Sequence, residues 1–201
     1  MSQPPVKRSL CAHCGYPTGQ CVCHLIAPVT GDVTVWVLQD KHEAKHAKNS
    51  ARLFALCYDK TRIVSFAEPE QLSAFMDAVD PEQALLLFPG EQALAVESLS
   101  QAKIAAIKHL ILLDGTWPKA KKMLWLEERL GCFKQGKFTH APRSQYEIRK
   151  SPNAEALSTL EAAVYALECC GNAQISNIRD FFSDVIALQW SKQPEEHKHR
   201  S

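Results

Sequence analysis

Four short apolar runs set the terms on which this chain can fold: "VTVWVLQ" (33–39), "TRIVSF" (61–66), "ALLLFPG" (84–90) and "KHLILLD" (108–114). Each is dominated by aliphatic or β-branched residues with little polar alternation, the pattern of a strand covered on both faces. Helical patterns lie between them. "NSARLFALCYD" (49–59) carries Leu53, Leu56 and Cys57 on one face, and "PEQLSAFMDAV" (69–79) opens with Pro69 at a favourable first-turn position. "EQALAVESLSQAKIAAI" (91–107) reads as a third helix. Strands alternating with helices predict an α/β layered domain with a mostly parallel sheet and flanking helices. In such sheets ligands bind outside the carboxyl ends of the strands. Two of the runs end there in unusual turns, "FPG" and "DGTW", and if those strands are neighbours the turns share one crevice.

After the second turn, Thr116 is placed to cap the helix "WPKAKKMLWLEERL" (117–130), which Gly131 terminates. A looser, basic section spans 132–150. Ser151-Pro152 then opens a helix to about Cys170, with Leu157, Leu160, Val164 and Leu167 on one stripe. "ISNIRDFFSDVIALQW" (175–190) closes the fold as an amphipathic helix. These boundaries give a small segment over 1–28, a main domain over 29–190 and a polar tail over 191–201.

The 201 residues suffice for one substantial core with a small appendage. Lys+Arg 23 against Asp+Glu 22 leaves the chain near neutral, so only local clustering of charge argues for a nucleic-acid partner. No apolar run approaches the roughly 20 residues that span a bilayer, so no membrane contact is expected. "MSQPPVKRSL" lacks the apolar stretch of a secretory signal, which makes the cytoplasm the expected location. Nothing in the sequence points to a stable protein partner.

The eight cysteines are unevenly placed. Cys11, Cys14, Cys21 and Cys23 crowd into "CAHCGYPTGQCVC", with two, six and one residues between them. In a reducing compartment such a cluster reads as a metal site, and four thiolates satisfy tetrahedral zinc. Gly15, Pro17 and Gly19 supply the turn that returns the second pair to the first. His13 and His24 lie beside ligands and read as neighbours of the site. A redox C-x-x-C competes, but that motif opens a helix in a βαβ unit, and none follows here. Full coordination by thiolates makes the metal structural. Cys57, Cys132, Cys169 and Cys170 sit among apolar residues and read as small core side chains.

By itself Asp114-Gly115-Thr116-Trp117 is a plain turn, a cap and a core indole. Together with the cysteine tetrad it resembles the DTW-domain family, whose hallmark is Asp-x-Thr-Trp. "LLLFPG", "LILLDGTWPKAKKM" with Ala120 and Met123, and "YEIRKSPNAEALSTLEA" with Arg149 and Ser158-Thr159-Leu160-Glu161-Ala162 are similar to its other blocks. One block departs. In "QDKHEAKHAKNSARL", Glu43, Asn49, Arg52 and Leu53 fit, but Asp40, Lys41 and Ser50 stand where His, Pro and Thr are expected, although His42 is close by.

The resemblance implies a SPOUT-like fold with a knotted C-terminal half. It also implies the activity of a bacterial tRNA-uridine aminocarboxypropyltransferase. Such an enzyme moves the 3-amino-3-carboxypropyl group of S-adenosylmethionine to N3 of a uridine in the tRNA variable loop, releasing methylthioadenosine. A SPOUT-like RNA methyltransferase and a non-catalytic zinc-ribbon RNA-binding protein are the alternatives. On this reading Asp114 serves the N3 proton as base or positioner, Trp117 walls or stacks on the uracil, and Thr116 starts the helix. The cofactor is expected against Leu87, Phe88, Pro89, Gly90 and Gly115, with Ile148, Ser158, Thr159 and Glu161. A mid-helix Glu161 is equally a solvated or ion-paired side chain. The tRNA is expected at Glu43, Asn49, Lys119, Lys122, Arg143, Arg149 and Lys150. Asn49 reads equally as a helix cap.

Overall fold

A computed structural model describes residues 9–46, 49–145 and 156–191. Six strands form one sheet: β1 (Thr34–Gln39), β2 (Thr61–Ser65), β3 (Ala84–Leu87), β4 (Leu94–Ala95), β5 (His109–Asp114) and β6 (Lys134–Lys137). Their order is β2-β1-β5-β3-β6-β4, and every neighbouring pair is parallel. Parallel strands require crossovers, and among the described residues six α-helices supply covering layers: α1 (Ser50–Cys57), α2 (Pro69–Ala78), α3 (Gln101–Ala106), α4 (Trp117–Leu126), α5 (Thr159–Cys169) and α6 (Ser176–Ser191).

The alternation of side chains divides the core in two. Val35, Val37, Leu110 and Leu112 face α1, α5 and α6, meeting Phe54, Val164, Phe181 and Phe182. Leu38, Leu86 and Ile111 point the other way onto Leu72 and Phe75 of α2, with Leu130 and Phe133. Both faces of the central strands are therefore dry, as their unbroken apolar runs require. The first core also takes in Cys14, Tyr16 and Val22, so the N-terminal cysteine segment is seated on the α1, α5 and α6 layer. Arg52 of α1 lies 5.0 Å over the Tyr16 ring, and Gln189 of α6 reaches the Tyr16 hydroxyl at 3.3 Å.

Several boundaries differ from the sequence expectation. Only the second half of 91–107 is an α-helix. Leu94–Ala95 pairs with β6 instead, Val96–Ser98 is a 3-10 turn that buries Val96, and Ser100 caps a fresh start through the Lys103 amide. Helix α4 stops at Leu126, five residues before Gly131. There the Glu127 carboxylate turns to the Arg129 amide and guanidinium, opening a 3-10 segment. Strand β6, "KQGK", carries no apolar residue and lies inside the section expected to be loose. It forms because β3 supplies a ladder, and its only fully buried member is Gly136. Helix α5 begins at Thr159, leaving Leu157 outside it, while the expected opening at Ser151-Pro152 lies outside the described residues. Of the scattered cysteines, Cys57 is core, Cys169 and Cys170 are part-buried, and Cys132 is exposed rather than packed.

Glu97 ties the segment after β6 to α5. Its carboxylate accepts from the Thr139 and His140 amides at 2.9 Å each and from the Tyr165 hydroxyl at 3.3 Å. Burial opposes its charge, but the His140 and Thr139 donors hold its pKa below the usual glutamate value.

Candidate active site and cysteine centre

The carboxyl ends of β1, β3 and β5 lie side by side. Gln39 and Asp114 are register partners at the ends of β1 and β5, and the Asp40 amide extends that ladder to the Asp114 carbonyl at 3.1 Å. Asp114 is 4% exposed. Gln39 Nε2 donates to its Oδ2 at 2.8 Å, and Thr159 Oγ1 donates to its Oδ1 at 2.5 Å. A carboxylate buried at this depth requires such donors, since unpaired burial of a charge is costly. Asp114 therefore joins β1, β5 and the first turn of α5 at one point.

A second acidic group sits above it. Lys119 of α4 bridges Asp40 Oδ1 at 2.8 Å and Glu43 Oε1 at 3.3 Å. Burial works against the Asp40 charge, but Lys119 and the His42 amide hold its pKa low, and the Asp40 contact raises that of Lys119. The bridge passes over Gly115, where a Cβ would lie 3.1 Å from Lys119 Cβ. A side chain at 115 would force Lys119 aside, so the close approach favours glycine. Just past β3 and β5, Phe88 and Trp117 meet edge to face with centroids 6.0 Å apart, so the "FPG" and "DGTW" turns lie side by side on neighbouring strands. Trp117 remains 48% exposed. An open groove of about 770 Å³ lies elsewhere, where Leu85, Leu94 and Ile107 meet Lys134 and Gln135.

In the N-terminal segment, Cys11, Cys14, Cys21 and Cys23 bring their sulfurs within 4.8 Å of one another. Cys11 lies 3.6 Å from both Cys21 and Cys23, and Cys14 lies 3.9 Å from Cys21. A tetrahedral zinc with bonds near 2.3 Å has sulfur–sulfur edges of about 3.8 Å, whereas a disulfide needs about 2.05 Å. The donor set and spacing fit a metal. The backbone amides of Cys14 and His13 aim at the Cys11 sulfur and lower its pKa to about 6, whereas burial pushes the Cys23 thiol up to about 12.

The profile of the DTW domain matches residues 8–190 of the chain. The chain belongs to the DTW domain family. Among curated proteins it is 28% identical over 173 residues to "tRNA-uridine aminocarboxypropyltransferase 2" of Drosophila melanogaster, covering 83% of this chain and 68% of that protein. The proteins of the same name from Macaca fascicularis and Mus musculus are each 27% identical, with 82% and 80% of this chain matched. The matches cover 57% and 56% of those two relatives, so the chain spans a little over half of their length. No solved structure gives a significant match.

Within this DTW domain the signature residues separate by role. Asp114 is buried. Thr116 stands at the N-cap position of α4, yet its side chain makes no capping bond, contrary to expectation. It is exposed, and Trp117 is half-exposed, not the core residue that a plain turn would present. Leu87 ends β3, and Phe88 continues to the Gly136 carbonyl at 2.9 Å. Pro89 is exposed, and Gly90 closes on Gln135, whose Oε1 would stand 1.8 Å from a Cβ at 90. Ser158 and Glu161 form a capping box on α5, and the Glu161 carboxylate also takes the Ser144 hydroxyl at 2.8 Å and the Gln145 amide at 2.6 Å. The Glu161 side chain is therefore buried and bonded rather than solvated.

Asn49 caps α1 through the Arg52 amide and donates to the Glu43 carbonyl at 3.0 Å. Lys119 is held in its ion pairs, whereas Lys122 and Arg143 are exposed. Ile148, Arg149 and Lys150 lie outside the described residues. Gln39 was not anticipated. Its signal was a polar residue closing an apolar strand, which gains meaning only once the register sets it beside Asp114.

Proposed function

We propose that this DTW domain transfers the 3-amino-3-carboxypropyl group of S-adenosylmethionine to N3 of a tRNA uridine. The carrying observation is the buried Asp114, oriented by Gln39 and Thr159 at the floor of a crevice whose rim is the half-exposed Trp117. The printed names of the relatives support the substrate class. The sulfonium of S-adenosylmethionine supplies an electrophilic γ-carbon. N3 of the uridine gives up its proton and forms the bond to that carbon, while the carbon–sulfur bond breaks with its electron pair going to sulfur.

The chain's own part is to hold, orient and accept. Asp114 is a fixed acceptor for the N3–H edge, because the donors on its oxygens restrict its rotation. Trp117 offers an indole face to the uracil beside Phe88. The amides of the first turn of α4, left uncapped by Thr116, favour a carboxylate such as that of the cofactor's amino acid end. The 87–90 turn and the N-terminus of α5, with Ser158 and Thr159, form the remaining walls on this reading. The four cysteines hold a structural zinc that ties the N-terminal segment to α1 and α6. The parallel sheet with its crevice at the carboxyl ends supports a SPOUT-like assignment, and we include in that assignment a knotted C-terminal half.

Incubation with unmodified tRNA and S-adenosylmethionine tests the reading. Methylthioadenosine with a modified uridine is the expected pair of products. S-adenosylhomocysteine would instead make the chain a methyltransferase, and tRNA binding without turnover would make it a binding protein.

A further inference from the structure

Five large apolar side chains are exposed among the described residues, and three of them, Trp117, Trp125 and Leu126, belong to the ten-residue helix α4. Trp125 is the most exposed of all, at 75%. Helix α4 packs inward through Ala120 and Met123. At about 100° per residue, the direction opposite that pair is occupied by Trp125, with Lys121 and Lys122 on either side of it. An indole held there contributes little to folding, since it removes little apolar surface from water.

The charges on this helix are also the reverse of what helix stability favours. No acidic residue occupies its first turn and no basic residue its last, while Lys119 stands in the first turn and Lys121 and Lys122 follow at mid-helix. Lys119 is neutralised by Asp40 and Glu43. Lys121 and Lys122 have no ion-pair partner among the described residues and are exposed. A local arrangement that costs stability and presents two lysines beside a bare indole fits an external polyanion with flat apolar faces. Glu127, paired with Arg129, and Glu128 mark where the strip ends.

We propose that the outer face of α4 is a docking strip for the tRNA. Trp125 stacks on an unpaired base other than the one that reacts, and Lys121 and Lys122 neutralise the phosphates flanking it. The inference rests on the tRNA reading above and extends it away from the crevice. Trp117 and Trp125 are eight residues apart, about 12 Å along the helix. That span places the second stacked base about two to four nucleotides from the reacting uridine along an extended strand, taking roughly 3–6 Å per nucleotide from base-stack to extended spacing. A single-stranded loop therefore satisfies both indoles, and a duplex does not.

Binding of unmodified tRNA, followed by anisotropy with the full chain, tests the strip. Trp125→Ala is expected to weaken binding about 5- to 150-fold, and Trp125→Phe to restore most of it. At saturating tRNA the Ala variant keeps its kcat and shows the loss in KM. Lys121→Gln with Lys122→Gln lowers the slope of log affinity against log salt by about 1.5. Because Trp125 is exposed, an unchanged melting temperature in the Ala variant separates contact from folding. Equal tRNA affinity in wild type and Trp125→Ala overturns the strip and leaves the proposed function standing. So does a wild-type dimer that Trp125→Ala dissociates, since the face would then be a contact between copies. A wild-type chain that binds no tRNA overturns the tRNA reading itself, and the strip with it.

Discussion

Asp114 is the acceptor for two side chains carried by other elements, and this makes its substitutions separable. In Asp114→Ala, Gln39 Nε2 and Thr159 Oγ1 lose their acceptor inside the protein. At about 1–3 kcal/mol for each buried donor left unsatisfied, the variant should lose roughly 2–6 kcal/mol along with turnover, measured by denaturant unfolding beside product formation. Thr159→Val keeps the shape and removes one donor to a charged acceptor. We expect it to cost about 1.5–3 kcal/mol and to lower kcat with little change in tRNA affinity. Equal kcat in that variant would mean that Thr159 does not position Asp114. By its own chemistry Asp114 reads as part of a turn, and it was the resemblance of the surrounding blocks that singled it out. Its partners were not legible, since Gln39 and Thr159 are 120 residues apart and meet only through strand register and the capping geometry of α5. Glu161 shows the opposite case. The Ser-x-x-Glu spacing is itself the signature of a capping box, so its bonded, buried state could have been read from Ser158 three residues before it.

At the level of elements, the strands with apolar runs were legible and β6 was not, because "KQGK" is defined by its neighbours' ladders rather than by its own side chains. Periodicity misled in 91–107, where the spacing suits a helix but the β-branched Val96 is better buried at a strand end. The segment after β6 depends on Glu97 in a way that pH exposes. Its folded pKa lies below the ordinary value of 4.5. The carboxylate therefore contributes stability that is fully present above about pH 4.5 and is lost as pH falls through the lowered folded value. Asp40 and Glu127 shift in the same direction and add to the same acid limb. We expect Glu97→Gln to show a shallower loss of stability between pH 6 and 3.5 than wild type, in urea titrations at each pH. An identical slope would remove Glu97 from that limb.

Across the whole molecule, the cysteine segment shares a core with the last helix. Cys14, Tyr16 and Val22 are buried among residues of α1, α5 and α6. With the proposed zinc in the tetrad, a strong chelator should therefore lower the melting temperature of a single cooperative transition, rather than melting the N-terminal segment alone. Calorimetry with and without chelator, alongside metal analysis of the purified protein, checks this. Zinc-free protein with the same transition would remove the metal's role. The tetrad itself was legible because its four cysteines are local. Its seat was not, since that seat joins α1 to α5 and α6, more than a hundred residues further along the chain. The hydrogen bond between Tyr16 and Gln189 joins residues separated by 173 positions. At translation speeds of about 5–20 residues per second, the ribosome needs roughly 10–35 s to make that stretch. The four cysteines span so short a stretch that they can meet within a second or so of emerging. Helix α6 is made that much later than the cysteines, so in the cell the contact between Tyr16 and Gln189 waits for it.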